Sequence, residues 1–107
     1  MNAIVELIPI ALQKTKEGKL EWEALSRGGS FVARLGDNSS IEVGYTRDEE
    51  ERFALLDSSG RILESTRWGE IGSPYDDHLR ELTNLARRKA LRVDETLKDA
   101  KGFLSKL

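Results

Sequence analysis

The sequence predicts an α+β fold: an N-terminal helix, an antiparallel β-meander of four strands (five if a short segment at 20–24 joins them), and a long C-terminal helix. Three observations predict it. Apolar and polar residues alternate in four successive runs between residues 31 and 67. Every connection between those runs is too short for a parallel crossover. Apolar residues at helical spacing flank the block on both sides. With 107 residues, 34% of them charged and 38% hydrophobic, the chain is expected to form one well-solvated domain, 1–107, around one modest core.

The first helix is expected over 2–17, where Ile4, Leu7, Ile8, Ala11, Leu12 and Thr15 share a face. Pro9 either kinks it or sits in the first turn of a helix that begins near Leu7. Gly18 is the expected stop. Met1 to Leu12 is apolar but has no basic leader, carries Glu6 and Pro9, and is followed by no small-residue cleavage site. A signal peptide is therefore not expected, and no run approaches the length of a membrane span. Leu20 to Ala24 alternates again, marking the possible additional strand before the Ser26–Ser30 loop.

Strands are expected at 31–35, 40–46, 52–57 and 61–67. The turn between the first two is Asp37-Asn38-Ser39-Ser40, and the next is the charged run Arg47 to Glu51. Asp57-Ser58-Ser59-Gly60 reads as a hairpin loop, with Gly60 in the left-handed region closing a type I turn and a bulge. The last strand has two possible phases, one with Ile62, Glu64 and Thr66 on a face and one with Leu63 and Ser65.

Thr15 to Trp22, Phe31 to Leu35, Leu55 to Arg61 and Leu85 to Asp94 together resemble small bacterial α+β proteins with a helix–meander–helix pattern, to which no activity is attached. The resemblance covers most of the chain through structural residue types. It implies a bacterial source and no functional residue.

The C-terminal helix is expected over 74–105. Ser73-Pro74-Tyr75-Asp76 supplies an N-cap serine, a proline at the first helical position and an acid in the first turn. Leu79, Leu82, Ala86, Ala90, Val93, Leu97, Ala100 and Leu104 form one stripe; Lys89 falls within it and Leu91 points away. At ~1.5 Å per residue such a helix is roughly 48 Å long, against about 30–35 Å for a domain of this size. It must break near 91–94, with Asp94 capping a final piece folded back on the first helix, or it must overhang.

Charge is unevenly placed. Residues 37–77 carry four basic and eleven acidic side chains, and residues 78–107 carry eight basic and four acidic. Attraction between the two regions explains this as well as a partner does. The absence of cysteine excludes disulfides and thiolate metal sites and suits a cytoplasmic protein.

Few residues offer chemistry. Asp76, Asp77 and His78 are metal-ligand types, yet neighbours on a helix point about 100° apart, and acids there also suit the helix dipole. The acids from Asp48 to Glu51 lack the spacing of a calcium loop. Gly28-Gly29-Ser30 lacks the context of a phosphate cradle. Trp22 and Trp68 suit a stacking platform less well than a core or its rim. No catalytic residue, cofactor or metal is expected.

Three functional readings follow. The first is a non-enzymatic protein–protein or self-association module, a homodimer or the ligand of another protein, using the C-terminal helix with Leu91, Leu97, Phe103, Leu104 and Leu107, or an exposed edge of the meander. The second is a nucleic-acid accessory protein contacting phosphates through Arg87, Arg88, Lys89 and Arg92. The third is an enzyme or ligand binder with a pocket between sheet and helices.

Overall fold

The computed structural model describes residues 3–25, 29–46 and 48–107. Residue 2 of the expected first helix, Gly28 of the Gly28-Gly29-Ser30 loop and Arg47 of the charged turn lie outside the described residues. A 3-10 turn (Ala3–Glu6) leads into α1 (Leu7–Lys16). Five strands follow: β1 (Trp22–Ala24), β2 (Ser30–Leu35), β3 (Ser39–Tyr45), β4 (Glu51–Asp57) and β5 (Ile62–Arg67). Two helices, α2 (Tyr75–Ala90) and α3 (Val93–Ser105), complete the chain. The sheet is an antiparallel meander in the order β1-β2-β3-β4-β5, so the segment at 20–24 does supply a fifth strand.

Pro9 lies in the first turn of α1, where its missing N–H would have had no helical partner. Gly18 ends the helix in the left-handed region. The Gly18 N–H donates to Thr15 O and the Lys19 N–H to Lys14 O, which satisfies two terminal carbonyls.

Strand alternation sends Trp22, Phe31, Ala33, Ile41, Val43 and Phe53 to one face of the sheet. Ile4, Val5, Ile8, Ala11, Leu12, Leu79, Leu82 and Ala86 pack on them from the helices. α2 lies against β1, β2 and β3, α1 lies beside α2, and the 3-10 turn meets β5. A polar link crosses this core. The Thr15 hydroxyl donates to Ala11 O at 2.7 Å and accepts from the Trp22 indole N–H at 3.1 Å, tying α1 to β1 with Thr15 fully buried. Trp22 is thus a core residue with its N–H satisfied, not half of a stacking platform.

The last strand keeps the phase of Glu64 and Thr66 only as far as an irregularity. Thr66 pairs with Phe53 and Glu64 with Leu55, but Ile62 pairs with Leu56 across an irregularity in register. Leu63 is the extra residue. The bulge switches the face on which the strand presents its side chains, so no single period-two pattern fits 62–67. The hairpin ahead of it forms as expected, with Gly60 at φ 87° and its N–H donating to Asp57 O. Asp57 Oδ1 accepts from the Ser59 N–H, the Ser59 hydroxyl and the Arg61 N–H, and Oδ2 accepts from Arg61 Nε.

These hydrogen bonds, the Arg61 backbone N–H foremost, hold the Asp57 carboxyl down at about 2. A depressed value means that its contribution to stability is complete above the unfolded-state value, near 4, and is lost as pH falls through about 2. The stability difference between the wild type and Asp57→Ala in urea titrations is expected to be constant at neutral pH and to shrink across that acid window. A difference that stays constant down to the lowest pH would contradict this assignment.

Two expectations are corrected at the second helix. Ser73 does not cap it: the N-cap is Pro74, joined to Ser73 by a cis peptide, and no side chain caps the terminus. Asp76 instead accepts from the Gly69 N–H at 2.9 Å, so the acid fastens the preceding loop. The break expected as one alternative near 91–94 is present, but Asp94 does not cap it. Leu91 ends α2, and Arg92 adopts the left-handed conformation (φ 52°, ψ 45°) immediately before α3. Arg92, not Asp94, holds the N-cap position.

Candidate functional site

Breaking the helix does not bring its last piece back to the body. α3 contains no buried residue, and its principal neighbour is α2, not α1. The molecule measures 55 × 31 × 29 Å along its principal axes, so two dimensions match the expected domain and the third is far longer. The break and the overhang, posed as alternatives by the length of the stripe, are both present.

On this arm Val93, Leu97, Ala100, Leu104 and Leu107 recur at intervals of four, three, four and three residues, the spacing of a coiled-coil seam. Leu97 is 58% exposed, Phe103 66%, Leu104 65% and Leu107 87%. Leu91 is also exposed at the junction with α2. All five apolar residues singled out in the sequence therefore lie at the surface. Val93 and Ala100 complete the stripe between them.

α3 has little local support. Its thirteen residues are near the ~12–15 below which an isolated helix is marginal in water. No side chain caps its N-terminus, and Gly102 costs about 1 kcal/mol relative to alanine. Asp94 and Glu95 in the first turn favour the helix through its dipole by only a few tenths of a kcal/mol each.

The four cations proposed for phosphate contact lie on α2 and the junction. Arg88 is paired with Asp94, and Arg92 Nη1 lies 3.9 Å from Glu95 Oε2. Lys89 and Arg92 border a hollow against Glu21 and Glu23 of the β1 region. Carboxylates of the same chain accompany this basic cluster, which lowers the positive potential that a phosphate backbone requires.

The sheet face opposite the helices carries a hollow of about 540 Å³. Val32, Arg34, Ser40, Glu42 and Leu56 floor it, and the 57–60 turn closes one side. Glu42 is 4% exposed and accepts from Arg52 Nη2 at 2.9 Å. That ion pair is diagonal across β3 and β4, two strands whose alternation was legible, though their pairing register was not. Asp57 is committed to its own turn. The Ser59 hydroxyl on its rim donates to Asp57 Oδ1, a carboxylate also held by the Ser59 and Arg61 backbone N–H groups and by Arg61 Nε as part of the turn.

Elsewhere, the Arg80 guanidinium lies 4.4 Å from the centre of the Trp68 ring, and Arg80 Nε is 3.6 Å from Glu51 Oε1. Trp68 is a half-exposed rim residue, as its type and position suggest. The Tyr45 hydroxyl donates to Glu51 Oε1; burial, then the Glu51 charge, pushes its phenol above the ordinary value. His78 lies edge-on to Tyr75 at 6.4 Å, and its Nδ1 is buried without a hydrogen-bond partner among the described residues. Among the described residues no group of three or more metal-ligating side chains converges, and no helix is long and apolar enough to cross a membrane.

Comparison with protein-family models, curated proteins and solved structures finds no match for this chain.

Proposed function

We propose that the chain is a protein–protein interaction module that self-associates through the exposed apolar face of α3. One observation carries the reading: a thirteen-residue amphipathic helix with no buried residue, set on an arm outside the sheet-and-helix body. Most helical stability in proteins comes from packing an apolar face, and among the described residues α3 meets chiefly α2 and buries none of its side chains fully. A contiguous apolar stripe of this kind marks an interaction surface. A second copy presents the same stripe at the same concentration, and closed two-fold dimers are the commonest oligomers.

The reading predicts a separation of effects. Leu97→Glu with Leu104→Glu is expected to convert a two-chain species to one chain in sedimentation velocity at tens of micromolar. Urea stability of the monomeric body should change by no more than about 0.5 kcal/mol, because neither side chain is part of its core. Identical sedimentation of the variant and the wild type would remove the stripe from consideration.

A further inference from the structure

We infer that two copies of α3 pair antiparallel, in one register, an inference that rests on α3 being the association surface. The seam assigns the heptad: Leu97 and Leu104 occupy a positions, Val93 and Ala100 occupy d positions, and Leu107 follows in the same phase beyond the end of the helix. The flanks then differ in character. On the e flank stand Asp94 and Lys101, and on the g flank stand Thr96 and Phe103.

Antiparallel pairing sets e against e and g against g. With Leu97 opposite Ala100 and Val93 opposite Leu104, Asp94 meets Lys101 of the other copy twice over. On the other flank Phe103 lies against the methyl of Thr96, covering a ring that is 66% exposed in the single chain. The large residues Leu97 and Leu104 each face a smaller one, Ala100 or Val93, which keeps the layers even. Sliding one helix by a heptad keeps apolar layers but brings Lys101 against Lys101. Parallel pairing sets g against e, giving Thr96 against Lys101 and no opposite-charge pair within α3. The helix dipoles also favour the antiparallel arrangement. Asp94 meets Arg88 of its own chain as well, and its side chain remains 77% exposed for a second cation.

Charge reversal tests the orientation on the full chain. Lys101→Glu alone is expected to weaken dimerisation about tenfold, the effect of turning two exposed attractive pairs into repulsive ones. Asp94→Lys alone should do the same. Mixed together, the two variants should form the heterodimer in excess over either homodimer by native mass spectrometry, because position 94 of each chain then faces the opposite charge at position 101 of the other.

The chain has no cysteine, so a single Leu104→Cys reports directly on orientation. Position 104 is an a position, which in a parallel pair faces its own copy within disulfide reach; antiparallel copies hold the two about 16 Å apart at ~1.5 Å per residue, and no cross-link is expected under oxidising conditions at concentrations where the variant is dimeric. A dimer that cross-links through Leu104→Cys, or charge variants that mix without preference, would overturn the antiparallel pairing alone. A wild type that stays monomeric would overturn the association itself.

Discussion

Phe53→Ala is expected to lower the free energy of unfolding by about 3–5 kcal/mol, read as a fall in the urea midpoint with the slope unchanged. Phe53 is fully buried at the centre of β4, with Val43 opposite on one side and Thr66 on the other. The helices close over this face of the sheet, so the ring has no route to water and the site little freedom to collapse. A domain of this length has roughly 5–15 kcal/mol in total, so the substitution removes a large share. Leu63→Ala supplies the contrast. Its side chain is 54% exposed at the bulge, and the expected change is within about 0.5 kcal/mol. Similar losses at both positions would mean that the core is not where it is described.

Gly44→Ala is expected to cost about 3 kcal/mol, combining roughly 1–3 for an overpacked contact with the strain of a positive φ. Gly44 sits inside β3 at φ 143°, opposite Ser30. A Cβ there would lie 2.2 Å from Gly29 O and 2.6 Å from Ser30 Cα. Both are backbone atoms, so no side chain can swing aside, and β2 would have to move from β3. Gly60→Ala separates the two causes. Gly60 also has a positive φ, but nothing lies within 4 Å of its added carbon, so it should show the strain alone, about 1 kcal/mol. If the two variants lose the same stability, close approach at Gly44 is not the cause.

Much of the architecture was legible because it rests on periodicity. Ile41, Val43 and Phe53 alternate with polar or small neighbours, and alternation of that kind needs no tertiary information. Features missed in the sequence depend on contacts between distant residues. Thr15 and Trp22 form a hydrogen bond across two elements, which spacing does not express. The Leu63 bulge shifts the phase within one strand, so the face shared by Glu64 and Thr66 does not extend to Ile62. Ser73 and Pro74 have the composition of a cap, yet Asp76 serves the Gly69 loop instead. The helix break carries no glycine or proline; it was inferred from length, and Arg92 takes the left-handed conformation without any local signal.

For the candidate site the same division holds. Leu97, Phe103, Leu104 and Leu107 stood out as surplus to a domain of this size, and the 55 Å long axis places that surplus on α3. Arg88 and Arg92 read as free cations by composition, whereas Asp94 and Glu95 meet them once the chain turns at Leu91. On a continuous helix Glu95 already neighbours Arg92 at three residues' spacing, whereas Asp94 lies six residues from Arg88, so it is the Arg88 pairing that was invisible without the break.

If α3 is an association surface, the full chain must dimerise in solution. Sedimentation equilibrium of the unmodified full chain across a concentration series tests it most directly. The weight-average mass is expected to rise from one chain towards two with concentration, and to stay at one chain throughout in Leu97→Glu/Leu104→Glu. A mass of one chain at every concentration, in wild type and variant alike, would contradict it.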